Sequence, residues 1–223
     1  MKIRFVCFLC LCVVTANAQR VEWGLKAGLQ LSQFKGEDFL ARRTASSSSN
    51  LETIRSSGKM TFGYAVGGYV RTLEDVFLQG ELLLSVKGGE LESSSSSNLT
   101  NLQYGQIDIP LSIGYQKNRF EISAGPMLSF KAFDDGNLKE FLSQYSNSPL
   151  TFSPYRPFTL GYQGGVGFKA NKLKLGLRYL ASIQGVSDMY IAYNVPGDSQ
   201  LRDSRFFQKF GVLQLTAAYQ LSK

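Results

Sequence analysis

The sequence predicts an all-β fold, namely an eight-stranded antiparallel up-and-down transmembrane β-barrel. Three observations lead to this prediction. Eight segments alternate apolar and polar residues, the connections between them are long and short in strict alternation, and the polar faces carry charges beside many glycines. Short periplasmic turns and long extracellular loops are typical of small membrane barrels.

The predicted strands cover residues 21–32, 60–71, 76–87, 103–116, 119–130, 158–170, 172–184 and 208–221. Each can supply the roughly 9–11 tilted residues that a membrane strand needs. In the first strand, Trp23, Leu25 and Leu29 share one face. Lys26 and Gln30 share the other face. This period of two places apolar side chains on one face of each strand and polar side chains on the other.

The parity of the polar faces predicts the length of the short turns. The fourth and fifth strands carry polar faces on even and odd numbers respectively, which fits a two-residue turn at Asn118 and Arg119. The sixth and seventh strands behave alike around Ala170 and Asn171. The second and third strands both use odd numbers, so three to five residues around Glu74 should connect them.

Alternation alone leaves the inward face undecided, because a soluble lipocalin-like barrel has eight strands with the apolar face inside. Aromatic residues near strand ends favour the membrane version, since they suit interfacial girdles. They are Phe62, Tyr64, Tyr104, Tyr115, Phe120, Phe130, Phe158, Phe168, Tyr179 and Tyr219. Glycines on the polar face point the same way, at positions 63, 67, 125, 161, 165, 167 and 176.

With the polar face inside, a narrow lumen would hold ten charged side chains: Glu22, Lys26, Arg71, Glu81, Lys87, Asp108, Glu121, Lys169, Lys174 and Arg178. Five glutamines would accompany them: Gln30, Gln79, Gln106, Gln163 and Gln214. We interpret these residues as a polar core of ion pairs and amide hydrogen bonds that plugs the barrel. The alternatives are a narrow conduction path or a buried carboxylate pair for acid–base chemistry.

The N-terminus predicts export. Residues 1–18 read as a cleaved signal peptide, with Lys2 and Arg4 before a short apolar run and a small-x-small site ending at Ala18. Residues 19–223 then form one outer-membrane barrel domain. All three cysteines lie in the signal, so the mature chain has no disulfide. The formal net charge of +7 falls to +5 without Lys2 and Arg4, and its scattered basic residues predict no nucleic-acid partner.

The composition argues against an enzyme. The chain has no histidine, which removes the usual general base and the usual metal ligand. No catalytic, cofactor or metal site is predicted. The segment from Asp134 to Asn137 lacks the alternating ligand order of a calcium loop, so we read it as a turn.

The predicted outer loops are residues 33–59, 88–102, 131–157 and 186–207. Serine tracts at 46–49 and 93–97 read as mobile and solvated. The third loop holds aromatic residues among prolines, which could bind a partner or pack onto the rim: Phe133, Phe141, Tyr145, Phe152 and Tyr155. The fourth loop has the same ambiguity at Arg202, Asp203, Arg205, Phe206 and Phe207.

Short motifs carry a family resemblance: GLKAG at 24–28, GEL at 80–82, IDIPL at 107–111, AGP at 124–126 and GLRY at 176–179. With these the mature chain resembles the small outer-membrane β-barrel family of Bacteroidetes, the PorT-like barrels. The resemblance implies a type IX secretion accessory as one role. The last aromatic, Tyr219, lies four residues inside the C-terminus, which departs from barrels that end on an aromatic.

We therefore expect a non-enzymatic outer-membrane barrel that is structural or binds a protein partner through its long loops, with membrane lipid around it. The alternatives are an accessory component of a secretion or assembly machine and, less favoured, a narrow pore.

Overall fold

The structure is a computed structural model that describes residues 21–42, 51–94, 96–145, 153–194 and 201–222. The predicted signal peptide, the serine tract at 46–49 and Phe152 lie outside the described residues. The strands are β1 (Val21–Gly36), β2 (Phe39–Ala41), β3 (Glu52–Ser56), β4 (Thr61–Thr72), β5 (Val76–Ser93), β6 (Ser96–Lys117), β7 (Phe120–Asp134), β8 (Phe158–Ala170), β9 (Leu173–Ser182), β10 (Ser187–Asn194) and β11 (Leu201–Gln220). Among the described residues there is one helix, α1, which spans Asn137–Ser143.

Eight long strands form a closed antiparallel ring in the order β1, β4, β5, β6, β7, β8, β9, β11. The last strand pairs with the first, from Gly24 opposite Gln220 to Gly36 opposite Gln208. Closure pairs backbone groups around the wall, as a membrane requires. The predicted eight-stranded barrel is confirmed, and each of the eight predicted segments overlaps one of these strands.

The short turns follow the predicted parity. Lys117 pairs with Phe120, which leaves the two-residue turn of Asn118 and Arg119. Ala170 pairs with Leu173, so the next two-residue turn is residues 171–172, one position later than predicted. Asn118 and Asn171 adopt positive φ angles of 58° and 54°, a conformation that asparagine tolerates and tight hairpins need. Residues 73–75 separate β4 from β5, within the predicted odd length.

The apolar face points outward along the predicted strand segments. Leu25 is 60% exposed and Phe62 is 61% exposed, whereas Glu22 is fully buried. The lipocalin-like alternative, with an apolar interior, is therefore wrong for this part of the chain. Nearly all of the predicted girdle aromatics lie on the outward surface, but Tyr104 is buried inside the wall and Phe168 is half-buried.

The long connections are more ordered than predicted. β5 and β6 continue as one hairpin through the predicted loop 88–102, β10 pairs with the extended β11, and β2 and β3 extend the sheet beside β5. The interpretation of residues 93–97 as mobile and solvated is wrong for Ser93, which ends β5, is buried, and donates a hydrogen bond to Glu52 Oε2 at 2.7 Å.

We call the side of the barrel that carries β2, β3, β10 and the tip of the β5–β6 hairpin the long-loop end. The opposite side, with residues 73–75, 118–119 and 171–172, is the short-turn end. Within the part of the chain that the structure describes, no helix is long and apolar enough to cross a membrane.

Candidate functional site

The lumen at the short-turn end is built from two ion-paired groups. Glu22 on β1 accepts hydrogen bonds from Lys174 and, at 3.1 Å, from Lys169 Nζ. Arg71 on β4 pairs with Glu121 and donates to Gln116 Oε1 at 2.6 Å. The Arg71 guanidinium also lies 3.3 Å from the centroid of the Phe77 ring.

The middle of the lumen centres on Glu81 of β5, which is 4% exposed. Its Oε1 accepts from Lys26 Nζ at 2.7 Å and from Gln79 Nε2 at 2.6 Å. Its Oε2 accepts from Arg178 Nη1 at 2.8 Å. This one carboxylate therefore binds two cations and connects three strands that are far apart in sequence.

A glutamine chain extends this middle layer to the opposite wall. Arg178 Nε donates to Gln214 Oε1 at 2.5 Å, and Gln214 Nε2 donates to Gln30 Oε1 at 2.8 Å. Gln30 Nε2 then donates to the carbonyl oxygen of Val86 at 2.7 Å. The chain cross-links β9, β11, β1 and β5 through the lumen.

The third layer is centred on a buried pair nearest the long-loop end. Lys87 Nζ lies 2.8 Å from Asp108 Oδ2 and donates to Gln106 Oε1 at 2.9 Å. Ser85 and Ser129 donate to the two carboxylate oxygens of Asp108 at 2.6 and 2.5 Å. The Asp108 carboxylate thus accepts four hydrogen bonds, which offset the cost of burying this ion pair.

Glycines make room for these side chains, as predicted for a narrow lumen. A Cβ at Gly165 would lie 2.6 Å from the Cβ of Arg178, directly across the β8–β9 pair. A Cβ at Gly167 would lie 2.7 Å from Glu121 Cγ. Lumen charges and lumen glycines therefore depend on one another.

All fifteen predicted lumen residues point inward, and eleven of them are buried. Lys26, Gln79, Glu121 and Lys169 are half-buried, the last two near the short-turn mouth. Several buried polar atoms of the described barrel interior lack a hydrogen-bond partner, among them Arg178 Nη2, Gln208 Oε1 and the hydroxyls of Thr61, Tyr69 and Thr159. The structure thus brings the predicted residues together as a paired polar core.

Above the polar lumen lies an apolar cluster that we call the cap. Phe39, Leu91, Leu102, Leu142 and Phe206 are each fully buried in it. The cap also holds Phe34, Ala41, Ile54, Tyr104, Met127, Leu138, Phe141, Tyr145, Tyr155, Leu180, Val186, Ile191, Phe210 and Val212. Sequence reasoning missed the cap, although the inward alternation continues past the predicted strand ends, from Ser32 to Phe34 on β1 and from Gln208 back to Phe206 on β11.

The third-loop aromatics mostly pack inward. Phe141, Tyr145 and Tyr155 are buried, whereas Phe133 is 48% exposed. The Tyr145 hydroxyl donates to Glu52 Oε2 at 2.9 Å. Burial raises the pKa of Tyr155 well above its ordinary value. Of the two interpretations of this loop, packing onto the barrel describes these three residues.

The fourth loop is held by a charged cluster. Asp188 Oδ1 and Oδ2 accept from Arg205 Nε and Nη2 at 2.8 and 2.9 Å, and Oδ2 also accepts from Arg156 Nη2 at 2.6 Å. The hydrogen bonds from Arg205 lower the pKa of Asp188, and the charge of Arg156 acts in the same direction. Phe206 is buried in the cap, while Arg205 stacks on Phe207 at 4.6 Å from the ring centroid.

The segment before α1 forms a turn. Asp134 Oδ1 accepts from Gly136 N, and Asp135 Oδ1 accepts from Asn137 N, both at 3.0 Å. Gly136 has a φ angle of 76°. Within the described residues, no cluster of three or more histidine, cysteine, aspartate or glutamate side chains could hold a metal.

Comparisons with known proteins agree with this architecture. A family model described as "Outer membrane protein beta-barrel domain" matches residues 16–188. The crystal structure of the outer membrane protein OprG from Pseudomonas aeruginosa is similar in fold, with a TM-score of 0.51 at 8% identity, over 92% of this chain and 98% of that chain.

A second solved structure, OpdQ from Pseudomonas aeruginosa, aligns at 8% identity over 92% of this chain and 99% of that chain. Its TM-score of 0.15 carries no argument about fold. No curated protein matches the sequence.

Proposed function

Since the chain belongs to the outer membrane protein beta-barrel domain family and lies in the bacterial outer membrane, we propose that it is a non-enzymatic barrel that displays an ordered surface at its long-loop end. In this proposal residues 1–18 are cleaved on export, the short turns face the periplasm, and the long-loop end faces the outside.

The observation that supports this proposal is the filled interior. Every carboxylate of the described lumen, on Glu22, Glu81, Asp108 and Glu121, is paired with a lysine or arginine. The cap packs apolar side chains above this polar core. A lumen filled by ion pairs and closed by an apolar layer favours a wall and a platform over a conduit.

Planar-bilayer recording tests the proposal against a narrow pore. The folded protein should give no conductance steps, and Glu81→Gln should give none either, because the cap still closes the lumen. Glu92→Gln is the matched control, since Glu92 pairs with Arg55 on the surface, where the Arg55 side chain is 63% exposed. Steady steps whose size changes with Glu81→Gln, and not with Glu92→Gln, would contradict the proposal.

An accessory role in a secretion or assembly machine, as for PorT-like barrels, is the second candidate. Exposed apolar side chains at the long-loop end favour it: Tyr190 is 69% exposed, Phe133 48% and Leu40 43%. Such side chains are frequent anchors in protein interfaces.

A stable envelope complex that survives detergent extraction should be lost on Tyr190→Ser with Phe133→Ser. The matched control is Tyr115→Ser, which removes an outward aromatic at the short-turn end that is 47% exposed. Equal recovery of the complex from all variants would contradict a role for this surface.

A further inference from the structure

Two lysines face each other on the outer wall of the barrel. β1 and β11 place Lys35 directly opposite Lys209, and both continue the outward alternation of Leu31 and Leu213. Like charges in directly opposed positions of neighbouring strands destabilise a sheet. An anion bound between the two ammonium groups would convert this repulsion into attraction.

Neither lysine has a carboxylate partner in the described part of the chain. The Lys35 ammonium lies 6.0 Å from the centroid of the Tyr179 ring, and the Lys209 ammonium lies 5.5 Å from that of Phe207. Asp188, on the neighbouring strand β10, is already bound by two arginines. Both positive charges therefore remain available to an external anion.

Gly211 of β11 lies beneath the Lys35 ammonium and the Tyr179 hydroxyl. A Cβ built on Gly211 would lie 2.8 Å from the Tyr179 hydroxyl and 3.5 Å from Lys35 Nζ. The hydroxyl and the ammonium thus converge over a stretch of backbone with no side chain of its own. Lys209 lies two residues before Gly211 on the same outward face and adds a second positive charge directly opposite Lys35. Such a set of donors suits a phosphate, which lysine binds as a point charge.

The height of the pair identifies the source of that phosphate. Leu31 and Leu213, 39% and 42% exposed, are the last opposed apolar pair of the outward face, and Lys35 follows Leu31 by four residues. With strand rise and tilt this places the lysines about 10 Å above the apolar belt. Lipid headgroups occupy this depth.

We propose that Lys35, Lys209 and Tyr179 bind the phosphorylated headgroup of a lipid in the leaflet at the long-loop end. The identity of the leaflet rests on the proposed function, in which the long-loop end faces the outside. In that orientation the leaflet is the outer one and the lipid is a phosphorylated glycolipid. Bound lipid would then brace the β1–β11 seam, where the barrel closes.

Thermal unfolding of the full mature protein in mild detergent tests the site, with folded material confirmed by the faster migration of the unboiled band. The probes are diphosphorylated lipid A, the same lipid stripped of phosphate, and inorganic phosphate. Only the phosphorylated lipid should raise the midpoint of the wild type. Lys35→Gln with Lys209→Gln should weaken the apparent affinity about thirtyfold. Lys35→Arg with Lys209→Arg should retain it.

The single variant Lys209→Gln gives a sign reversal that a purely structural role would not. Without lipid its midpoint should rise by about 1–2 °C, because the like-charge pair is gone. With phosphorylated lipid it should fall below the wild type. The matched control, Lys117→Gln with Lys172→Gln, removes the same charge at the short-turn end and should bind like the wild type.

Three results would overturn the site: an unchanged lipid effect in the double glutamine variant, an equal loss in the Lys117 and Lys172 control, or an equal effect of inorganic phosphate. Orientation is tested separately by surface labelling of Lys35→Cys in intact cells. Lipid-phosphate binding without such labelling would place the site in the other leaflet and would contradict the proposed orientation instead.

Discussion

The inside of the barrel changes character along its length, and the outside changes in the opposite sense. Going up β1, the inward positions run from Glu22 and Gln30 to Phe34, which belongs to the cap. The outward positions run from Leu25, which is 60% exposed, to Lys35. One strand therefore presents a polar inside within the membrane belt and an apolar inside above it.

This inversion shows that the surroundings decide which face is apolar. Where lipid surrounds the wall, apolar side chains belong outside, and the polar side chains inside must be paired because water is scarce there. Where water surrounds the wall, the same strands bury their apolar side chains as a soluble protein does. The two regions should respond differently to the same kind of mutation.

The largest effect is expected in the lumen. Glu81→Ala leaves Lys26 and Arg178 without their shared carboxylate, and breaking a buried pair in this way should lower the free energy of unfolding by about 3–5 kcal/mol. Urea titration of the folded, heat-modifiable band in detergent measures the loss. Glu92 pairs with the exposed Arg55, so Glu92→Ala should cost at most about 1 kcal/mol. Equal losses in both variants would contradict a special role for the lumen.

A cap mutation should act more locally. Phe206→Ala removes a fully buried ring that packs against Phe39 with a centroid distance of 5.8 Å, so about 3–5 kcal/mol of packing should be lost. Because the polar lumen is untouched, the unboiled band should keep its faster migration while protease sensitivity rises at the long-loop end. Loss of the faster band would show instead that cap and barrel unfold as one unit.

A smaller effect is expected at the hydrogen bond between the third loop and β3. Tyr145→Phe keeps the ring and removes the hydroxyl that donates to the buried Glu52 carboxylate, so the cap should lose about 1–2 kcal/mol. Hydrogen exchange of β2 and β3 measures the local change. Ser143→Ala is the comparison variant, because the Ser143 hydroxyl donates to the Glu140 carbonyl oxygen within α1 and not to β3.

The smallest effect is expected from pH at the fourth loop. Arg205 lowers the pKa of Asp188 below its ordinary value of 3.8, so the cluster is fully stabilising above pH 3.8 and loses its contribution as pH falls through the lowered pKa. After correction for intrinsic rates, exchange of β10 should accelerate only in strong acid. Asp188→Asn should show faster exchange already at neutral pH and no further step in acid.

Alternation was sufficient to predict the part of the barrel between the short turns and the cap. The eight strands, the parity of the turns beside Asn118 and Glu74, and the inward position of residues such as Glu22 and Arg178 all follow from a period of two. They follow because a slip of one residue would carry every charged side chain into lipid. The partners of each charge did not follow, since Arg178 reaches Glu81 across the lumen from a strand 97 residues away.

The cap could not be predicted in this way, because its inward positions are apolar, whereas the inward positions of the lumen are polar. Phe34 has the same parity as Gln30 and Ser32, so a reader who expects polar residues inside sees the strand end there. The buried Ser93 likewise stands in a serine tract whose composition alone indicates solvation. Which environment surrounds each stretch of strand is a property of the folded chain.

Cysteine accessibility in intact cells tests the central claim most directly, because the predicted mature chain has no cysteine of its own. A membrane-impermeant thiol reagent would be applied to Gln30→Cys in the lumen, Lys35→Cys on the outer wall, and Asn171→Cys in a short turn as the periplasmic control. The account predicts labelling of Lys35→Cys alone. Labelling of Gln30→Cys would show an open, water-filled lumen and would contradict a barrel filled by its own ion pairs and closed by its cap.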